Sequence, residues 1–191
     1  MDDELFKGEH VRLGAAGPAA RAESFHRWNQ NTEYFRMLDN DPATLFSKTI
    51  MQGWMEKGLE ENSYRHYFFT IHLLKDEKPV GFTSLFNLNW NSGESWVSIA
   101  LGEPEHWGKG YGTEAMRLLL RYAFTELNLH RVTLFLFEYN PRAMRSYEKA
   151  GFRVEGRMRQ VVRREGRAWD AIWMGILRSE WEQVEAGRLA V

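Results

Sequence analysis

The sequence predicts an α+β domain built on a mixed, mostly antiparallel sheet, and three observations carry that expectation. Strand-like segments at 67–74, 80–88 and 95–101 are separated by turn signals at 75–79 and at Asn91-Ser92-Gly93, as in an antiparallel meander. A glycine-rich turn, Trp107-Gly108-Lys109-Gly110-Tyr111-Gly112-Thr113-Glu114-Ala115, opens a long helical pattern. A β-loop-α-β-α run then ends in a C-terminal hairpin. Antiparallel strands before the crossover unit argue against a doubly wound parallel sheet.

The remaining elements follow in order. Residues 10–13 read as a short strand, and 18–29 and 32–38 are helical in composition. Asp41-Pro42 reads as an N-cap and first helical position for a helix running towards Glu60. After the glycine turn a helix is expected over 113–127, because Met116, Leu119, Leu120, Ala123, Phe124 and Leu127 share one face. Val132, Leu134 and Leu136 alternate with Thr133, Phe135 and Phe137, which makes 131–137 a strand. Asn140-Pro141 starts a helix and Gly151 stops it. Segments 152–162 and 168–177 pair across Arg164-Glu165-Gly166, and Ser179 with Glu182 has capping-box spacing for a last helix. No repeat, low-complexity tract or linker divides the 191 residues, so one domain, 1–191, is expected. Trp28, Trp54, Trp90, Trp96, Trp169 and Trp173 are expected in the core, with Trp54 and Trp96 also candidates for walling an acceptor tunnel.

Bulk chemistry narrows the function classes. With 25 basic and 26 acidic side chains the net charge is −1, so no global field favours nucleic acid or an anionic membrane. The absence of cysteine rules out thiol nucleophiles and cysteine metal sites, and the six histidines lack metal-ligand spacing, so no metal is expected. The start, Met1-Asp2-Asp3-Glu4, has no apolar run and no stretch reaches membrane-spanning length. A soluble cytoplasmic protein is expected.

A turn rich in glycine at a helix start gathers backbone N–H groups and the positive helix end on one point, which suits a phosphate. A Walker loop does not fit, because Glu103 stands in place of its first glycine and Gly110 in place of its hydroxyl residue. A dinucleotide fingerprint does not fit either, because Gly108, Gly110 and Gly112 are spaced too closely. Together with Asn140-Pro141-Arg142-Ala143-Met144-Arg145-Ser146-Tyr147-Glu148-Lys149-Ala150-Gly151-Phe152, however, the turn resembles the GNAT superfamily of N-acetyltransferases, nearest its Rim-type and spermidine acetyltransferase branch. The likeness runs from about 95 to 177 and more loosely from residue 10. Trp107 departs from the Arg or Gln that usually opens the loop.

The resemblance implies a V-shaped splay between two central strands, helices on both faces and acetyl-CoA as co-substrate. It implies that backbone N–H groups of Gly108, Lys109, Gly110, Tyr111, Gly112 and Thr113 hold the pyrophosphate, with Trp107 leading the loop. Ile99, Ala100 and Leu101 would pair with the pantetheine, Asn140 would contact it, and Arg142 is a candidate for steering the CoA phosphates. Tyr147 would be the general acid at the thioester sulfur. The backbone N–H near Leu101 would stabilise the oxyanion. Glu94 is the candidate base, with Glu33, Asp170 and a water chain equally open. The acceptor is an amine, on a small molecule or a peptide. Deprotonating a lysine-like amine at pH 7 costs roughly 4–5 kcal/mol, and an α-amine about 1 kcal/mol. Without cysteine, direct attack in a ternary complex is expected. The alternative is a non-catalytic acyl-CoA-binding regulatory module. Relatives of this type commonly pair through their C-terminal strands, so a homodimer is open. The arginines at 157, 159, 163, 164 and 167 read as surface charge or as a contact for an acidic substrate or partner.

Overall fold

The computed structural model describes residues 5–61 and 65–189, so the acidic start of the chain lies outside the described residues. In chain order the elements are β1 (Val11–Gly14), α1 (Pro18–Trp28), α2 (Thr32–Leu38), α3 (Lys48–Glu61), β2 (Tyr67–Leu73), β3 (Pro79–Asn89), β4 (Glu94–Leu101), α4 (Tyr111–Thr125), β5 (Arg131–Phe137), α5 (Pro141–Ala150), β6 (Arg153–Arg164), β7 (Arg167–Leu177) and α6 (Arg178–Leu189). A single 3₁₀ turn, Pro104–His106, links β4 to the glycine turn. The strands form one seven-stranded sheet in the order β1-β2-β3-β4-β5-β7-β6. All neighbours are antiparallel except β4 and β5.

Alternation sorts side chains onto two faces. Leu85, Val97, Val132, Leu134, Leu136, Ile172, Met174 and Ile176 join the main core under α4, whose Met116, Leu119, Leu120, Ala123 and Phe124 are at most 2% exposed. The opposite face carries Phe82 and Ala100, covered by Trp28 and Tyr34 from α1 and α2. Beyond β4 the same face carries the contacting aromatic rings of Trp96, Phe135 and Trp173. Phe135 is 43% exposed there. Helices therefore lie on both faces, and the second face is roofed over only part of its width.

Three local expectations need correction. The helix expected from Asp41-Pro42 begins instead at Lys48, where the Ser47 hydroxyl oxygen accepts from the Ile50 N–H at 3.3 Å. The carbonyls of Asp39 and Asp41 are held by the distant Arg164 guanidinium, at 2.7 and 2.9 Å, so the intervening loop cannot wind into a helix. At the last helix Glu180 caps the Leu177 N–H at 3.0 Å, in place of the expected Ser179 and Glu182 box, because β7 runs directly into α6. Trp28 is core at 1% exposed, but Trp54 and Trp90 are 54% and 51% exposed. Trp54 instead meets Phe46 edge-on at 4.7 Å.

The β6–β7 turn is as expected. Glu165 and Gly166 have φ of 53° and 73°, the two positive angles of a tight hairpin that matches strand twist. At the end of β4, Gly102 lets Trp28 approach; a Cβ there would stand 2.0 Å from the indole Cδ1. Gly102→Ala should therefore destabilise the fold by about 1–3 kcal/mol and lower Tm by several degrees. An unchanged Tm in thermal unfolding would contradict this packing.

Candidate functional site

The parting of β4 from β5 creates the site. Their parallel register covers only Glu94↔Arg131, Ser95↔Val132 and Trp96↔Thr133, after which the strands diverge. On its other edge β4 stays paired with β3 as far as Leu101. The Gly102 N–H bonds the Val80 carbonyl at 2.9 Å, and antiparallel alternation then turns the backbone groups of Leu101 and Ile99 away from β3 and into the gap. The Leu101 carbonyl accepts from the Trp107 indole N–H at 2.8 Å. Its N–H and both polar groups of Ile99 face the opening. A cavity of about 640 Å³ fills the V, lined along this strand by residues from Trp96 through Leu101.

At one mouth lies the glycine turn. Gly108 and Gly110 have φ of 73° and 87°, which strongly favour glycine, and Gly110 is the left-handed N-cap of α4 with no side-chain cap. A Cβ at either position would meet no protein atom within 4 Å. A Cβ at Gly112 would make only ordinary contacts, at 3.8 Å to Leu101 and Ser146. The space beside these glycines is thus left open by the fold rather than required by its packing. The first-turn N–H groups of α4 have no partner within the helix, so the turn fits a diphosphate. Gly108, Gly110, Gly112, Thr113 and Trp107 line the cavity; the side chains of Lys109 and Tyr111 do not. Tyr111 packs against the main core.

Helix α5 supplies the second motif. Asn140 caps it through the Ala143 N–H at 3.1 Å, and Gly151 ends it at φ 103°. Arg142 lies over the Trp107 ring at 3.9 Å, which ties the departing loop residue to α5. Asn140, Arg142, Arg145, Ser146, Tyr147 and Lys149 all line the cavity. The half-buried Tyr147 hydroxyl is pushed up to about 12 by burial alone, so it stays protonated at neutral pH.

On the opposite face the wall is aromatic: Phe82, Phe86, Trp96, Phe135 and Phe137. Tyr34, Met37, Leu38 and Asp39 from α2 and its C-cap complete it. Sequence reasoning did not single out these four. Tyr34 is 4% exposed and its hydroxyl is unpartnered among the described residues.

The candidate bases are not brought to this wall. Glu94 shares the strand phase of Trp96 but sits at the closed end of the V and does not line the cavity. Asp170 accepts from Arg157 and from the Gln160 N–H, both at 2.9 Å, which holds its carboxyl below the usual range. Glu33 is exposed and does not line the cavity. No histidine lines it either.

The arginines of the basic hairpin do not line the cavity. Arg157 is paired with Glu138 and Asp170. Arg164 donates to the carbonyls of Arg36, Asp39 and Asp41 and to the Tyr139 hydroxyl, at 2.7–3.0 Å. It thereby pins the segment that carries Met37, Leu38 and Asp39. Arg164→Ala should raise the acceptor KM by about tenfold, because misplacing an acceptor by an ångström is costly. Acetyl-CoA affinity should stay within twofold, and Arg164→Lys should not rescue, since an ammonium lacks the planar fork. An unchanged acceptor KM would remove Arg164 from this positioning role.

Among the described residues no cluster of His, Cys, Asp and Glu could hold a metal ion, and no helix is long and apolar enough to cross a membrane.

Comparison with known proteins gives a consistent picture. The acetyltransferase (GNAT) domain family matches residues 12–153. The Bacillus subtilis protein described as "Probable N-acetyltransferase YjcK" is 37% identical over 183 residues, covering 94% of this chain and all of that one. A spermidine N(1)-acetyltransferase of Vibrio cholerae is 29% identical, over 82% of this chain and 87% of the relative. The solved structure of a Vibrio cholerae spermidine N-acetyltransferase in complex with CoA and spermine superposes with a TM-score of 0.80 at 25% identity, covering 90% and 98% of the two chains.

Proposed function

This chain belongs to the GNAT acetyltransferase family and is an N-acetyltransferase of it, and we propose that it transfers acetyl from acetyl-CoA to a primary amine by direct attack in a ternary complex. One observation carries this reading. The gap between β4 and β5 runs from the open glycine turn, past Tyr147, to an aromatic chamber on the other face of the sheet. Donor and acceptor can thus meet through the sheet without sharing an entrance.

The main-chain N–H groups of Gly108 to Thr113 take the diphosphate. Arg142, Arg145 and Lys149 supply positive charge on the same side. Ile99 extends its free backbone groups to the pantetheine amides, as a sheet edge receives an added strand. The neutral amine attacks the thioester carbonyl, the C–N bond forms, and the Leu101 N–H holds the negative oxygen. The C–S bond then breaks, the thiolate takes the Tyr147 proton, and the nitrogen loses its extra proton. Burial raises Tyr147, so its proton stays in place until the thiolate forms. The position of Glu94 supports water over that carboxylate as the route for the nitrogen's proton.

Relatives whose names include spermidine place polyamines among the acceptors to test, beside single amines, amino acids and peptide N-termini. Exposed Val154, Met158 and Val161 on edge strand β6 support pairing of two copies at that edge. Thiol release with acetyl-CoA and a panel of these amines tests the transfer. Turnover with any class supports it. Tight CoA binding with no turnover would favour the regulatory-module reading instead.

A further inference from the structure

The walls of the cavity differ in chemistry, and the difference bears on the acceptor. On the side of α5 the charged lining residues are Arg142, Arg145 and Lys149. On the acceptor side the lining is mostly aromatic or apolar, with Ser98 polar, and its only charged group among the described residues is Asp39. The Asp39 carboxylate already accepts the Asp41 N–H at 3.1 Å. Of the other carboxylates, Glu138 and Asp170 pair with Arg157, Glu165 pairs with Arg36, and Glu103 pairs with Arg27 through one of its oxygens. A polyamine entering here would bring several ammonium groups to one lining carboxylate.

Building on the transfer reading above, we propose that the acceptor is a monoamine carried on an aromatic or apolar body, and that polycationic amines are poor substrates. The body lies against Trp96, Phe135 and Phe137, whose rings form a continuous wall. Phe135 stands 6.3 Å from Trp96 and 5.8 Å from Phe137, both edge-on. Apolar walls disfavour an ammonium, so the site itself favours the neutral amine that attack requires. That accounts for a chamber whose lining holds no histidine and, among the described residues, one carboxylate, Asp39.

Initial-rate thiol release by the full-length protein with 2-phenylethylamine, ethylamine and spermidine separates the terms. The first pair share one charge and differ in the ring, and spermidine adds charge without a ring. The expected kcat/KM for 2-phenylethylamine exceeds that for ethylamine by about tenfold or more. It should exceed that for spermidine by a larger factor. Phe135→Asp, at a half-exposed position that tolerates a polar side chain, should lower the first value and raise the spermidine value about tenfold. Spermidine equal to or better than 2-phenylethylamine in the wild type overturns the proposal, as does a ring that confers no advantage. No thiol release with any of the amines, while acetyl-CoA still binds, overturns the transfer reading and the inference with it.

Discussion

Gly112→Ala should weaken acetyl-CoA binding by about 10- to 100-fold while leaving thermal stability equal or slightly higher, an unusual pairing of effects. The position is helical, in the first turn of α4, and a Cβ there makes only 3.8 Å contacts with Leu101 and Ser146. Alanine in a helix is favoured over glycine by roughly 0.5–1 kcal/mol, so the fold has nothing to lose. The added methyl instead enters the cavity beside the amides that receive the diphosphate. Losing one charge-assisted hydrogen bond, at about 1.5–3 kcal/mol, gives the stated range. Gly110→Ala is the poorer experiment, because its φ of 87° would add a folding penalty to any binding loss. Calorimetric titration and thermal unfolding of the same Gly112→Ala sample check the claim, and unchanged affinity would mean that the glycine turn serves only the chain's own path.

Tyr147→Phe should lower kcat by about 10²–10³-fold and leave acetyl-CoA affinity nearly intact, as expected when a general acid is removed from a preserved binding site. The pH profile offers an independent check. Burial raises the hydroxyl to about 12. A raised value means that the proton is held at every pH below it and is lost only as pH climbs through it. The acceptor amine moves the other way and becomes competent as pH rises. Wild-type kcat/KM should therefore climb with pH and level off, with no falling limb below about pH 11. A fall between pH 8 and 10 would assign the acid role to another group.

What the sequence disclosed and what it concealed divide along physical lines. The glycine turn and the helix from Asn140-Pro141 to Gly151 were legible because caps, stops and positive-φ glycines are local constraints written in adjacent residues. Strand β5 was legible to the residue, since Val132, Leu134 and Leu136 alternate strictly. The start of α3 was not, because its competitor is a guanidinium more than 120 residues away that removes the carbonyls of Asp39 and Asp41 from helix formation. Tyr34 was equally hidden. One tyrosine in a seven-residue helix has no sequence mark that shows its hydroxyl buried and unmatched. Glu94 illustrates the limit of period-two reasoning, which gives the face of a strand but not the position along it where two strands separate. Trp54 and Trp90 show the same limit for composition, since indole size predicts burial only where an opposing surface exists.

A crystal structure of the protein with coenzyme A is the most direct test. The diphosphate oxygens should lie about 3 Å from the main-chain nitrogens between Gly108 and Thr113. The pantetheine should pass between β4 and β5 beside Ile99 and Leu101, with its sulfur within reach of the Tyr147 hydroxyl. Coenzyme bound elsewhere on the surface, or β4 and β5 closed against each other beyond Trp96 and Thr133, would contradict the account.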